Sequence, residues 1–509
     1  MKSSIKFNII SNFVTQIWSG LIQLIFVPTY INMLGADAYG LIGFYTSLLG
    51  IFAVLDLGLG AALSRELARY STNSAHNTEA ANLTYTLERL YWSMGLVIGL
   101  GIVISSDWMA NSWLNNTRLP ASKVHFALIQ MGILTFFRWP TSLYNGGLVG
   151  IQQQVQLNAI TLITETAKAV GVIFILKWVQ NDIQAFFNWQ IIITLVATLL
   201  LRAFLWKNLN IPNYQPTFSK KLLLQIARFS AGVSGISLVV TILMQTDKLI
   251  LSKILPLDLF GYYTLSFSIS FVLFRVISPI ATAFYPRIVQ AIQLNDSLQQ
   301  RRLYHQSSQL MAVVIIPISL TLSFFSKEII GWWLKNDEST KECAPLVSVL
   351  ILGTMCNGLV TMSYYYQLAN GWTKLAFWKN VAALFILIPL LLWLTQLYGS
   401  MGASFIWASL NISYLFVEPH IFHHKYLKGE KIKWYLYDIL IPFISTFPIL
   451  ILGRYWLDKH PPQPPFIQIL VIGTVFTISL LAAGVFTKFT RHLLMTQGRL
   501  LHQKFNKTK

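Results

Sequence analysis

The sequence predicts an all-α polytopic membrane protein with about 14 transmembrane helices. Three observations carry that prediction. Charged residues are 11% of the 509-residue chain, against roughly 25% in an average soluble domain. Apolar residues are 54%, more than a soluble fold of this charge content can cover with polar surface. Mostly apolar stretches of about 20 residues, the length that crosses a bilayer core, recur from end to end. This composition excludes a cytosolic enzyme, a secreted disulfide scaffold and a disordered chain. The two cysteines, Cys343 and Cys356, cannot form a metal site alone and suggest no disulfide framework. The net charge of +19 is read as basic residues in cytoplasmic loops facing anionic lipid, and not as a nucleic-acid signal.

The spans are placed near residues 7–31, 40–62, 86–106, 124–145, 157–178, 184–206, 226–251, 259–281, 305–326, 344–369, 374–396, 400–422, 434–456 and 466–487. The first is too long for a secretory signal and lacks a small-residue cleavage motif. With the N-terminus in the cytoplasm, inside segments hold 25 Lys and Arg, outside segments 10, and spans three (Arg138, Lys168 and Arg275). That asymmetry puts both termini inside and calls for an even number of spans. No loop is long enough to fold as a domain, which disfavours a membrane glycosyltransferase or polysaccharide ligase.

The chain also repeats itself. Leu34-Gly35-Ala36-Asp37-Ala38-Tyr39-Gly40 opens the second span, and Leu255-Pro256-Leu257-Asp258-Leu259-Phe260-Gly261 opens the eighth, 221 residues later. Each is followed by a Tyr/Ser/Thr-bearing apolar helix that ends near an arginine, Arg65 or Arg287. The expected organisation is a lobe of six spans over 1–206, a cytoplasmic linker at 207–225, a second six-span lobe over 226–424, and two added spans with a basic tail over 425–509. Parallel repeats of this kind are a transporter design in which two lobes rock about a cavity.

Charges inside spans are costly and usually face a partner or a wet cavity. The candidates are Asp56, Arg138, Glu165, Lys168, Asp247, Lys248, Arg275 and Glu418. Arg138 and Arg275 have no partner within a helical turn and lie away from the membrane surfaces, so a cavity position is expected for both. A cavity arginine suits a diphosphate, which it can hold through two parallel charge-assisted bonds. Glu165 and Lys168, three residues apart, either join such a site or neutralise each other on one helix face. Asp247-Lys248 either contributes or snorkels to the nearby surface. Glu418 is expected in an interfacial cluster with His420, His423 and His424. Leu57-Gly58-Leu59-Gly60 lacks the context of a phosphate loop and reads as close helix packing. Tyr364-Tyr365-Tyr366 could stack on sugars, although packing is the commoner use.

Several of these stretches, in order, resemble a known family. Phe7-Asn8-Ile9-Ile10-Ser11-Asn12, the Leu34–Gly40 motif, Asp56-Leu57-Gly58-Leu59-Gly60, Arg65-Glu66, Gly146-Gly147-Leu148-Val149-Gly150-Ile151-Gln152 and Thr246-Asp247-Lys248-Leu249-Ile250-Leu251 followed by Phe260-Gly261-Tyr262-Tyr263 are similar to the Wzx-type polysaccharide flippases. These O-antigen and capsule-repeat exporters belong to the MOP superfamily, which also holds the MATE exporters. The resemblance covers most of residues 5–300 and weakens beyond; order and spacing carry it, not any one motif. It implies a MOP/MATE-like fold, a bacterial inner-membrane location and no catalysis. It also implies flipping of undecaprenyl-diphosphate-linked oligosaccharide from the cytoplasmic to the periplasmic leaflet.

On that expectation Arg138, Arg275 and Lys168 bind the diphosphate by alternating access, and Asp56, Glu165 and Asp247 are the candidate coupling groups. No metal and no cofactor are expected. The expected partners are the lipid-linked oligosaccharide and membrane lipid, with a polysaccharide polymerase and a chain-length regulator beyond them, and no nucleic acid. The alternatives left open are a MATE-like multidrug exporter, a peptidoglycan-precursor flippase, a membrane transferase or ligase, and a structural scaffold for polysaccharide assembly.

Overall fold

The computed structural model describes residues 5–70, 77–115, 119–209, 214–460, 464–492 and 495–496. Lys2, Arg118 and the basic residues from Arg499 onward, all used in the orientation argument, lie outside them. The described chain is helical throughout. Its helices are α1 (Ile5–Leu34), α2 (Ala36–Phe52), α3 (Leu59–Tyr70), α4 (Asn77–Trp108), α5 (Ala121–Arg138), α6 (Thr141–Gly150) and α7 (Gln154–Trp178). They continue with α8 (Ile183–Leu209), α9 (Lys220–Ile254), α10 (Leu257–Phe271), α11 (Phe274–Gln293), α12 (Ser297–Phe324), α13 (Ser326–Leu334) and α14 (Asp337–Ala369). The last are α15 (Lys374–Tyr398), α16 (Ser400–Lys425), the single turn α17 (Lys431–Lys433), α18 (Ile441–Lys459) and α19 (Pro465–Phe486). A π-helical stretch, Trp434–Leu440, joins α17 to α18. Among the described residues, 12 helical stretches are long and apolar enough to cross a membrane. The expected fourth and seventh spans are helical too, as parts of α5 and α9, and stand outside those 12.

Three of the expected spans are broken, and the breaks have local causes. The second span starts at Ala36 and not at 40. It runs through α2 into a 3₁₀ turn, Ala53–Asp56, and stops where Leu57 (φ 48) and Gly58 (φ 72) take left-handed backbone. The fourth span ends as α5 at Arg138, because Pro140 has no N–H to continue the ladder. The Phe137 carbonyl near that break accepts from Thr198 Oγ1 at 2.8 Å, and the Arg138 carbonyl from Thr141 Oγ1 at 2.6 Å. Such side-chain partners make a broken helix tolerable inside a membrane. The eighth span breaks between α10 and α11, where Arg275 N–H closes a tight turn on the Val272 carbonyl at 2.9 Å. The second and eighth spans, paired by the repeat, are therefore both interrupted a little past their middles.

The chain forms two compact units, Met1–Gly261 and Tyr262–Lys509. In the first, α3, α4, α6 and α8 bury Leu63, Leu87, Tyr91, Tyr144, Leu148 and Leu205. Helix α9 packs on α2, α3 and α4 and so belongs to this unit. In the second, α12, α14 and α16 pack closely, with Tyr304, Ile316 and Phe422 fully buried.

Glycines set the tightest approaches in the first unit. A methyl group on Gly146 would stand 2.2 Å from the Gly60 carbonyl oxygen, so α3 and α6 touch backbone to backbone and Gly60 serves the close packing expected of it. Gly146→Ala is expected to destabilise the protein by about 1–3 kcal/mol, read as a lower melting temperature in detergent. Gly40 and Gly261 mark one close approach of α2 to α10. A Cβ on Gly40 would meet the Leu257 carbonyl at 2.1 Å, and one on Gly261 would meet the Ala36 carbonyl at 2.7 Å. The two contacts are related by the 221-residue offset of the Leu34–Gly40 and Leu255–Gly261 motifs.

Candidate functional site

The first unit gathers ionisable groups within its membrane helices. Glu165 and Lys168 lie on one face of α7, with Lys168 Nζ 3.0 Å from Glu165 Oε1. Both side chains are largely buried, at 29% and 14% exposure. Tyr30 of α1 stands close enough to feel the Glu165 charge and donates to the Ala169 carbonyl at 3.2 Å. Arg138, the last residue of α5, comes near enough to Lys168 for the two cations to repel. The Tyr45 hydroxyl of α2 lies beside Arg138 and Thr135 and makes no hydrogen bond of good geometry. Arg138 is exposed, and no described carboxylate is within ion-pair distance of it. The helix break places it there: Pro140 stops α5 and leaves the side chain at the free end. Of the sequence candidates, then, Arg138, Glu165 and Lys168 come together, with Lys168 tied to Glu165.

The other candidates stand elsewhere. Asp56, at the break in the second span, accepts from the Tyr91 hydroxyl and from Ser142 Oγ at 3.2 Å. Lys248 does not snorkel. It is 8% exposed, bonded to the Met244 carbonyl at 2.9 Å and to Asp247 Oδ1 at 3.4 Å. Arg275 is exposed on the first turn of α11 and has interactions of its own.

Glu418 is a correction. It does not bond to the neighbouring histidines. Only 2% exposed, it receives an ion pair from Lys379 of α15 and a hydrogen bond from Gln367 Nε2 at 2.8 Å. Lys379, assigned from sequence to a cytoplasmic segment, is drawn into the helix packing and also sits 4.1 Å over the Tyr414 ring. His423 instead faces the Pro419 carbonyl at 2.7 Å. Tyr366 is buried and donates to Gln300, so packing explains it.

Two buried carboxylates escaped the sequence reading. Glu88 of α4 is 5% exposed and accepts from Arg202 Nε at 2.5 Å, Tyr144 at 2.6 Å and Trp206 Nε1 at 3.0 Å. Asp438 is fully buried and accepts from Gln309 Nε2 at 2.8 Å, with His305 Nδ1 at 2.5 Å. Each lies inside an expected span, and that alone marked it.

The other nitrogen of His305 faces Glu430, in the turn before α17, at 3.2 Å. Glu430 also binds Arg301 at 3.1 Å and Lys433 at 3.1 Å. Burial works against the Glu430 charge, but the hydrogen bonds and charges of Lys433 and His305 hold its carboxyl below the usual range. A lowered carboxyl contributes stability above its unfolded pKa and loses it as pH falls through the folded value. Melting temperature should therefore drop on acidification below the normal glutamate range, and Glu430→Gln should flatten that limb of the profile. Among the described residues no group of three His, Cys, Asp or Glu is arranged to hold a metal ion.

The helical chain with its broken spans has the fold of solved members of the MOP superfamily. The fold matches the lipid II flippase MurJ in its inward closed conformation, with a TM-score of 0.72, 16% identity, and 96% of this chain and 100% of that one covered. It also matches an inward-facing MATE-family multidrug resistance transporter of the MOP superfamily, with a TM-score of 0.60, 11% identity, and 82% and 99% covered. Residues 5–292 match the polysaccharide biosynthesis protein family, and the chain belongs to that family. A Shigella flexneri chain assigned as an O-antigen transporter is 21% identical over 383 residues, which are 74% of this chain and 87% of that one. The lipopolysaccharide biosynthesis protein WzxC of Escherichia coli (strain K12) is 21% identical over 376 residues, 72% of each chain.

Proposed function

We propose that this multi-pass membrane protein, a transporter and not an enzyme, is a polysaccharide flippase. Its cargo is an undecaprenyl-diphosphate-linked oligosaccharide repeat unit, carried from the cytoplasmic to the periplasmic leaflet of the inner membrane by alternating access. Family membership supports a role in polysaccharide biosynthesis, and the names of the two relatives support O-antigen-type cargo. The observation that carries the reading is Arg138. It is a guanidinium without a carboxylate partner among the described residues, at a helix break, beside the Tyr45 hydroxyl and the Glu165–Lys168 pair. A planar fork of donors fits a diphosphate. Lys168 adds positive potential, and Arg275 is a further proposed phosphate ligand.

Asp56, Glu165 and Asp247 are the proposed coupling groups. One charge moved across 100 mV is worth about 2.3 kcal/mol, enough to bias a two-state transporter. The Lys and Arg asymmetry supports both termini in the cytoplasm. The working division stays 1–206, 226–424 and 425–509 around the linker 207–225, on the strength of the repeat. A polymerase and a chain-length regulator would receive the exported unit.

The test is where lipid-linked oligosaccharide accumulates in a deletion strain. Unaltered repeat units held on the cytoplasmic leaflet, and released by restoring the gene, are the expected result. Normal translocation with missing polymer would overturn the reading. A drug-susceptibility assay separates it from a multidrug exporter.

A further inference from the structure

The second unit holds a cleft of about 280 Å³ between α12, α13 and α19 that plays no part in the transport reading. Ile329, Trp332, Ile472 and Phe476 make an apolar wall, and Thr321, Glu328 and Gln468 are the polar residues of the cleft. Glu328 starts α13 and gives one oxygen, Oε1, to Arg454 Nη1 at 2.7 Å. Arg454 also binds Asp458, through Nε at 3.1 Å and Nη2 at 2.7 Å, and reaches the Phe324 carbonyl at 3.5 Å. Two carboxylates thus share one guanidinium, and the group keeps one net negative charge. Glu328 Oε2 and Thr321 Oγ1 are both sealed from solvent, and neither has a hydrogen-bond partner. Buried polar atoms are nearly always satisfied, so two orphans beside one cleft need an explanation. The last torsion of a glutamate is soft, so Oε2 can turn toward an occupant at little cost.

We propose that this cleft holds a lipid with a primary ammonium headgroup. The negative balance calls for a cation. The two orphan oxygens call for N–H donors, which a primary ammonium has in threes and a quaternary one lacks. The apolar wall takes part of one acyl chain. The ammonium donates to Glu328 Oε2 and Thr321 Oγ1, and the chain lies over Ile329, Trp332, Ile472 and Phe476.

The test uses the full-length protein purified in mild detergent. It is offered an equal mixture of phosphatidylethanolamine, phosphatidylcholine and phosphatidylglycerol with identical chains, and retained lipid is counted by native mass spectrometry. Phosphatidylethanolamine should be enriched about tenfold over both others, the ratio one charge-assisted hydrogen bond supplies. Glu328→Gln should abolish that preference while lipid still binds, and Thr321→Val should weaken it severalfold. Equal retention of the three headgroups, a preference for phosphatidylglycerol, or an unchanged preference in Glu328→Gln would each overturn the proposal. If Glu328→Gln does not fold, the headgroup series on the native protein and Thr321→Val decide the matter alone.

Discussion

Arg138→Ala is expected to cut polysaccharide export by about 100-fold, since hydrogen bonds to charged groups are worth roughly 1.5–3 kcal/mol each and this guanidinium can make two to a diphosphate. Protein level should stay near normal, because Arg138 has no described carboxylate partner to strand. Arg138→Lys should recover part of the activity, keeping the charge but losing the fork. Lys168→Met should behave differently. It leaves Glu165 in the helix interior without its 3.0 Å partner, so both export and protein level should fall. The measurements are surface polysaccharide and lipid-linked oligosaccharide in cells, with the variant quantified in the membrane. Full export by Arg138→Ala at normal level would remove Arg138 from the binding site.

Glu418→Ala should produce the largest loss of stability. The substitution strands the Lys379 ammonium, which is 14% exposed, and removes the acceptor of Gln367. Breaking a buried pair from one side costs about 3–5 kcal/mol, whereas replacing both partners by apolar groups is often neutral. The double variant Glu418→Ala/Lys379→Met should therefore recover most of the lost stability. Melting of the purified protein in detergent, for both single variants and the double, reads the coupling. Equal melting of Glu418→Ala and the native protein would mean that Lys379 reaches water or finds another acceptor.

These expectations divide along a physical line. The apolar stretches, the asymmetry of Lys and Arg and the duplicated Leu34–Gly40 and Leu255–Gly261 motifs were legible because each is a local or periodic property of the chain. The glycine reading held for Gly60, since only a residue without Cβ lets α3 and α6 meet through Gly60 and Gly146, but not for Gly58, which packs on nothing and serves the left-handed turn. Pairing was another matter. Lys379 looked like a loop charge and Glu418 like a surface one, yet they are 39 residues apart in sequence and bonded in the fold. Glu88 and Arg202, and His305 and Asp438, are separated by 114 and 133 residues. No window along the chain can see such partners, because what joins them is the packing of α4 on α8 and of α12 on the π-helical turn.

The sequence by itself determined a helical membrane protein and its shortlist of intramembrane charges. Burying a charge in hydrocarbon is costly whatever the fold, so position within an apolar span is enough to flag it. Only the tertiary structure decided which of those charges are spent on each other. Lys168 and Lys248 have carboxylates beside them, Asp56 accepts from Tyr91 and Ser142, and Glu418 has drawn in Lys379. Arg138, near Lys168 at the end that Pro140 gives its helix, has no carboxylate within ion-pair distance among the described residues. Coulomb attraction and hydrogen bonding act over a few ångströms, and the fold alone sets which groups come that close.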